Sequence, residues 1–295
     1  MPLQQLVEYF NDRLEQEHNS KIRAFILENG EVHGLFGTAR ISTQLSAIRE
    51  TLQPNQFIGH YALLKVDTNN VAELDKLLVP PAIQNSGFDS VINFDRLSRT
   101  VHMLNYLPQS HLDKVLFLDV DPRHILGIKA DHGAYFEEII VRCGLQTANV
   151  AIGLTVSTAY ARLYSLLIKG LENYQRRGYR LALKFDVQSL DKSATEMIAR
   201  ILPDFVGLSA QNLDQLRDSL LLDKLKELCS LAGSLDARSI LFNVEDIHHA
   251  ELAQQCGFDL MQGRYFQQTT ANQESYSTNW HAANKQTQFF QAYAG

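Results

Sequence analysis

The chain has 295 residues, of which 45% are hydrophobic and 20% charged, a composition typical of a globular protein with one large domain or two small ones. Its formal net charge of −6 does not favour nucleic acid or an anionic membrane as a partner. No apolar run reaches the roughly 18–20 residues of a membrane span and the N-terminus has no signal peptide, so the sequence predicts a cytoplasmic protein without a membrane segment.

The sequence contains none of the usual motifs for metals, nucleotides or nucleophilic catalysis. Its three cysteines, Cys143, Cys229 and Cys256, are far apart and odd in number, which predicts free thiols rather than a disulfide or a zinc site. A Gly-rich phosphate loop and a nucleophile elbow are both absent. We therefore expect no cofactor.

The first 55 residues are predicted to form an N-terminal extension. Apolar residues spaced along one face predict a helix over residues 3–14. Residues 22–27 and 31–36 are predicted strands, joined by Asn29-Gly30, a strong hairpin signal. The spacing of apolar residues over 42–52 predicts a second helix. The sequence leaves open whether this region is a separate lobe or part of the main domain.

From residue 57 onward, short apolar runs alternate with amphipathic stretches. The runs predict strands at 57–66, 115–120, 150–155, 180–185, 205–208, 239–244 and 260–266. The stretches between them predict helices at 71–78, 91–107, 135–143, 159–176, 194–201, 213–228 and 247–256. With residues 22–27 counted as a core strand, about eight strands alternate with helices, which favours a closed (β/α)8 barrel. Residues 269–295 are polar and are predicted to form a C-terminal tail.

Four segments carry a family resemblance. Residues 59–65 read Gly-His-Tyr-Ala-Leu-Leu-Lys, and residues 178–186 read Gly-Tyr-Arg-Leu-Ala-Leu-Lys-Phe-Asp. Residues 118–126 read Leu-Asp-Val-Asp-Pro-Arg-His-Ile-Leu, and residues 262–266 read Gln-Gly-Arg-Tyr-Phe. They resemble the EAL-domain motifs Gly-x-Glu-Ala-Leu-Leu-Arg, Gly-x-x-x-Ala-Leu-Asp-Asp-Phe-Gly, Val-Asn-x-Ser-Pro-Arg-x-Leu and Gln-Gly-Tyr-x-Phe. The resemblance covers residues 56–268 and implies an α/β barrel of the modified TIM type found in cyclic di-GMP phosphodiesterases.

The resemblance also implies which positions would hold the two divalent cations of an active member, and most of them lack carboxylate oxygens here. The signature glutamate corresponds to Tyr61, or to Phe36 if residues 34–40 are the signature segment instead. The asparagine corresponds to Asp119, which could still bind a metal. The remaining metal and catalytic positions correspond to Gly153, Val156, Lys184, Phe185, Gly207, Ser209 and Phe242. The sequence thus predicts a degenerate member without a metal site or catalytic residues.

Four residues are candidates for ligand binding at the barrel mouth: Lys65, Asp119, Lys184 and Gln262. Lys184 could bind a phosphate, but a lysine in such a position more often pairs with a carboxylate, here Asp119 or Asp186, or extends to water. A second alternative is a metal site built from Asp119, Asp121 and His124. Aromatic rings of Tyr61 and Phe242 blocking the mouth would argue against any ligand.

The function predicted on this basis is that of a non-catalytic EAL-like regulator, acting through a protein partner in or near cyclic di-GMP signalling. One alternative is a receptor that binds cyclic di-GMP without metals. Another is a phosphodiesterase with an altered site. The leucine-rich face of the helix predicted over 213–228 is expected to lie in the core, with a homodimer contact as the alternative.

Overall fold

The structure is a computed structural model that describes residues 2–18, 23–68, 88–112, 114–128, 131–211, 213 and 221–266. Its ten strands are β1 Phe25–Glu28, β2 Glu31–Phe36, β3 Ala39–Glu50, β4 Phe57–Asp67, β5 Val115–Asp119, β6 Val150–Thr155, β7 Arg180–Phe185, β8 Phe205–Ser209, β9 Arg238–Phe242 and β10 Leu260–Gln262. The described helices are α1 Leu3–His18, α2 Phe88–Tyr106, α3 Pro122–Gly127, α4 Ala134–Arg142, α5 Tyr164–Arg176, α6 Lys192–Ile201, α7 Leu221–Ser234 and α8 Ile247–Cys256.

Strands β3 to β10 close into a barrel of eight strands, which confirms the predicted α/β barrel. Strands β4 to β10 run parallel to one another, whereas β3 is antiparallel to both β4 and β10. The carboxyl ends of the parallel strands therefore meet at one end of the barrel, which we call the mouth. The hairpin of β1 and β2 continues the same sheet outward from β3.

Strand β3 corrects two predictions about the N-terminal region. The helix predicted over 42–52 is wrong, because residues up to Glu50 form a barrel strand that pairs on both sides. Residues 22–27 do not supply a barrel strand either: the strand in this region begins at Phe25 and pairs only with β2. The eighth strand of the barrel is β3. The first 55 residues thus include a barrel strand as well as an attached helix and hairpin.

Other boundaries differ in smaller ways. The last strand ends at Gln262 rather than at residue 266. Of the helix predicted over 213–228, the structure describes Leu213 and the residues from Leu221 onward, where α7 begins. The helix predicted over 71–78 and the tail over 269–295 lie outside the described residues. None of the described helices is long and apolar enough to cross a bilayer.

Two apolar layers hold the barrel together. The interior is filled by side chains from alternate positions of the strands, with the rings of Phe117 and Phe205 4.7 Å apart near its centre. A larger layer packs the outer face of the strands against the helices. Burial of such side chains contributes about 1.5–3 kcal/mol each, so the two layers fix the strand ends that form the mouth.

Candidate functional site

Three polar side chains from three strands meet at the mouth. The ammonium of Lys184, at the end of β7, pairs with Asp119 of β5 at 2.5 Å and donates a hydrogen bond to the hydroxyl of Tyr61 on β4. The Tyr61 hydroxyl in turn donates to the same Asp119 oxygen. Of the carboxylate partners considered for Lys184, the structure therefore selects Asp119. We call these three residues the mouth triad.

The mouth triad is electrostatically self-contained. Burial alone would lower the pKa of Lys184, but the Asp119 carboxylate outweighs it and the pKa is raised, so the ammonium keeps its proton. Burial, with the nearby Asp119 charge, raises the pKa of Tyr61, so its hydroxyl stays neutral. One positive and one negative charge remain, and their sum is zero.

Aromatic rings cover the same ammonium. The Lys184 nitrogen lies 4.8 Å from the Tyr61 ring centre and 5.5 Å from that of Phe242 on β9. The two rings lie 5.4 Å apart. Phe242 is 3% exposed and Tyr61 8%, so the rings close the barrel interior beneath the ammonium. This is the aromatic arrangement that the sequence analysis set against ligand binding in the barrel centre.

Two glycines make room for this arrangement. A Cβ atom on Gly153 would lie 2.3 Å from an oxygen of Asp119, and a Cβ on Gly207 would lie 2.2 Å from the Phe242 ring. Any side chain at these two positions would displace Asp119 or Phe242 from its present place. The positions of Asp119 and Phe242 thus depend on the absence of side chains at Gly153 and Gly207.

Gln262 belongs to a second network of hydrogen bonds, formed with Ser46, Asn243 and Ser209. Its side chain, 2% exposed, donates to the Ser46 hydroxyl at 2.8 Å and accepts from the backbone of Asn243 at 3.4 Å. The Asn243 side chain donates to Ser209 at 2.8 Å. Gln262 and Ser209 therefore bond to neighbouring protein groups, while Asn243 has a positive φ of 59° that the sequence analysis did not anticipate.

The remaining predicted site residues do not join these networks. Lys65 is exposed near the end of β4. Val156 and Phe185 are each 1% exposed and pack in the layer between strands and helices, facing away from the mouth. The structure brings together Asp119 and Lys184 of the four predicted ligand-binding residues; it leaves Lys65 on the surface and Gln262 in its own network.

The structure separates the two possible signature segments. Tyr61 faces the mouth, and β4 starts the run of parallel strands by pairing with β5. Phe36 lies in the hairpin, where its ring packs edge-on against Phe94 of α2 at 5.2 Å. Residues 59–65, rather than 34–40, thus occupy the strand position at the mouth.

A cleft of about 420 Å³ opens beside the mouth triad, between β4 and α2. Its wall includes Asp95, Arg99 and His102 of α2, each at most 7% exposed. Asp95 pairs with Arg99 at 2.5 Å and with His124 of α3 at 2.8 Å. Burial alone would raise the pKa of Asp95, but Arg99 and His124 hold it at about 2. The Asp-x-x-x-Arg spacing on an apolar helix could have indicated this buried pair, which the sequence analysis missed.

The three residues of the alternative metal site, Asp119, Asp121 and His124, each bond to another protein group in the structure. Asp119 binds Lys184, Asp121 caps α3 and pairs with Arg123 at 2.7 Å, and His124 bonds Asp95. Among the residues that the structure describes, no group of three or more His, Cys, Asp or Glu side chains is placed to hold a metal ion.

Comparison with known proteins identifies the barrel. The family model described as EAL domain matches residues 38–269. The chain belongs to the EAL domain family. This EAL domain begins one residue before β3, so α1 and the β1–β2 hairpin lie outside the match. No curated protein sequence matches the chain.

Solved structures share the fold at low sequence identity. Klebsiella pneumoniae BlrP1 in a calcium and cyclic di-GMP complex is 17% identical with a TM-score of 0.62, covering 76% of this chain and 54% of its own. BlrP1 with FMN and cyclic di-GMP and no metal ions is 14% identical, with a TM-score of 0.55 and coverage of 76% and 51%. Bacillus subtilis YkuI with cyclic di-GMP and calcium is 16% identical, with a TM-score of 0.58 and coverage of 85% and 64%. The chain thus spans about half the length of BlrP1.

Proposed function

We propose that this EAL domain is a non-catalytic regulator in cyclic di-GMP signalling that acts through a protein partner. The observation that carries the proposal is the Lys184 ammonium, bound to Asp119 and Tyr61 at the mouth. A monovalent cation 4 Å from a divalent one is repelled by about 8 kcal/mol at an effective dielectric of 20. A pair of divalent cations would meet that repulsion with a single carboxylate, Asp119, to offset it.

The oxygen ligands available at the mouth also argue against a two-metal centre. Divalent cations such as Mg²⁺ and Ca²⁺ need several oxygen ligands, mostly carboxylates. The mouth offers Asp119, already neutralised by Lys184, together with the hydroxyl of Tyr61 and the ring of Phe242. These residues do not fit a two-metal centre, and no other group in the mouth triad can activate a water molecule for attack on a phosphodiester.

The test of the non-catalytic proposal is a hydrolysis assay. The full chain is incubated with cyclic di-GMP and Mg²⁺ or Mn²⁺, and the linear dinucleotide is separated by chromatography. We expect no product above a blank without protein, in either metal. Sustained release of the linear dinucleotide that scales with protein concentration would instead establish a phosphodiesterase with an altered site.

A second candidate function is a metal-independent receptor for cyclic di-GMP. The cleft between β4 and α2 favours it, because its volume of about 420 Å³ is in the range of small-molecule sites and it adjoins Asp119. A solved BlrP1 structure that contains cyclic di-GMP and no metal ions supports the idea that an EAL fold takes up this ligand without metal. Lys65, Lys184 and Asp119 would be the polar contacts nearest the mouth, and Gln262 would have to leave Ser46 to take part.

Calorimetry separates the two candidates. Cyclic di-GMP is titrated into the full chain in EDTA and again with excess Mg²⁺. The first proposal predicts no heat of binding under either condition. Micromolar binding in EDTA would replace it with the receptor function, and a Thr155→Trp substitution at the exposed rim of the cleft should then weaken the binding.

A homodimer through the helix that contains α7 is a further prediction about assembly. Leu225 and Leu228 of α7 are buried within the chain, and Leu222 is 43% exposed. Sedimentation of the wild type and of Leu222→Lys tests it: a dimer that dissociates on this substitution would support the contact.

A further inference from the structure

Three arginines and two tyrosines form one surface cluster where α1, α2 and α4 meet. The Tyr135 ring of α4 lies between two guanidinium groups, 4.7 Å from Arg13 of α1 and 4.5 Å from Arg96 of α2. The guanidinium of Arg142, at the end of α4, lies 4.8 Å from the Tyr9 ring of α1. We call these five residues the arginine seam.

Stacking on a tyrosine uses the face of a guanidinium and leaves its in-plane N–H donors free for acceptors. Glu138 takes up part of that capacity: it pairs with Arg13 at 3.0 Å and accepts from the Tyr9 hydroxyl at 3.2 Å. Among the described residues, Arg96 and Arg142 have no ion-pair partner. The arginine seam with Glu138 therefore has a local charge of +2 on a chain whose net charge is −6.

Part of the arginine seam lies outside the EAL match. Tyr9 and Arg13 belong to α1, which lies outside the residues that match the EAL family model. Arg142 is exposed, and its neighbour Val141 is 62% exposed, so the outer end of the seam is open to a partner. Arginines held in place by aromatic rings lose little side-chain entropy when they bind carboxylates.

We infer that the arginine seam is the docking surface for a short acidic segment of a protein partner. The inference rests on the proposed function, since it names the chemistry of the partner through which the regulator acts. A short segment with two carboxylates matches in number the two guanidinium groups without an ion-pair partner in the described part of the chain, those of Arg96 and Arg142. A nucleic acid fits less well, because its affinity depends on many phosphate contacts and the seam offers two such guanidinium groups.

The test is a titration of the full chain with an acetylated peptide of six glutamates, followed by NMR shifts of the α4 amides. We expect binding at low salt that weakens about tenfold when NaCl is raised from about 20 to about 300 mM, because exposed ion pairs are screened. The matching peptide of six glutamines should bind at least tenfold more weakly.

Two double variants assign the site. Arg96→Gln with Arg142→Gln should weaken the glutamate peptide at least fivefold. The control double variant, Arg180→Gln with Arg264→Gln, removes the same charge from exposed arginines elsewhere and should leave the affinity within a factor of two. If the first double variant fails to fold, Arg142→Gln alone serves, because its side chain is on the surface.

Equal weakening by both double variants would overturn the inference, as would binding of the glutamine peptide with the same affinity or no binding of the glutamate peptide at millimolar concentration. None of these results alters the outcome of the hydrolysis and calorimetry experiments. A failure of the docking surface is thus distinguishable from a failure of the proposed function.

Discussion

At the scale of single residues, the arrangement of side chains at the barrel mouth depends on the absence of a side chain at Gly153. The space beside this glycine holds the Asp119 carboxylate, and that carboxylate fixes the Lys184 ammonium. A larger residue at 153 and the present Asp119–Lys184 pair exclude each other sterically. The absence of a side chain at Gly153 therefore leaves the volume in which Asp119 and Lys184 form their ion pair.

Gly153→Ala tests this steric dependence. The added methyl group would lie 2.3 Å from an Asp119 oxygen, so Asp119 must move and its ion pair with Lys184 is strained or lost. We expect the free energy of unfolding to fall by about 1–3 kcal/mol, measured by urea denaturation. Gly233→Ala is the matched control, because a Cβ there meets nothing within 4 Å and the helical position should gain about 0.5–1 kcal/mol. A Gly153→Ala protein as stable as the wild type would contradict the argument.

Part of this site could be predicted from the sequence. The pairing of Lys184 with Asp119 was foreseen as one alternative, since both residues follow parallel strands and carry opposite charges. The roles of Gly153 and Gly207 were not, because a glycine in a motif does not reveal which neighbour will fill its space. Asn243 was missed because its left-handed backbone conformation is set by the turn after β9.

At the scale of elements, β3 shows why the local spacing of apolar residues predicted a helix where the chain forms a strand. Leu45, Ile48 and Leu52 recur at intervals that suit a helix. In the structure, β3 pairs with β4 over most of its length and with β10 at its end, and these long-range hydrogen bonds decide the conformation. The parallel strands from β4 onward were predictable because each is a compact apolar run followed by a helix.

Helix α2 carries a buried histidine whose titration should be visible in stability. Burial lowers the pKa of His102 from 6.5 to about 4, and the ring bonds Thr43 of β3 at 2.8 Å. The unfolded chain therefore binds a proton near pH 6.5 and the folded chain only near pH 4. Neutral His102 therefore contributes fully to the free energy of unfolding above about pH 6.5. This contribution is lost as the pH falls towards 4, at up to about 1.4 kcal/mol per pH unit.

His102→Gln should flatten this dependence, because glutamine keeps a hydrogen bond to Thr43 without gaining a proton. We expect the difference in unfolding free energy between pH 7 and pH 4.5 to shrink by about 2 kcal/mol in urea denaturation. Part of the slope should remain, because burial also lowers the pKa of His124. His248→Gln, on an 82% exposed side chain, should follow the wild-type curve. Equal flattening by both substitutions would show that burial on α2 is not the cause.

At the scale of the whole molecule, the N-terminal hairpin and the barrel share one sheet. Strand β3 pairs with β4 over most of its length, and also with β2 near its start and with β10 near its end. Asn105 of α2 adds a second connection: it accepts from the Val32 backbone N–H and donates to the Val32 carbonyl, both at 2.7 Å. Because the addition and the barrel are joined through buried backbone groups, we expect them to unfold as one cooperative unit.

Asn105→Ala tests whether the N-terminal addition and the barrel unfold cooperatively. The substitution leaves the N–H and C=O of Val32, a residue with no exposed surface, without these two partners, so the free energy of unfolding should fall by about 2–4 kcal/mol. Unfolding in urea, followed by circular dichroism and by hydrogen exchange of the β2 amides, should still show one midpoint for both probes. Asn173→Ala, which removes a single 3.4 Å bond to Gly133, should cost less than about 1 kcal/mol. Early exchange of β2 with an unchanged barrel transition would mean that the hairpin opens independently, and the N-terminal addition would then be a separate structural unit resting on the EAL barrel.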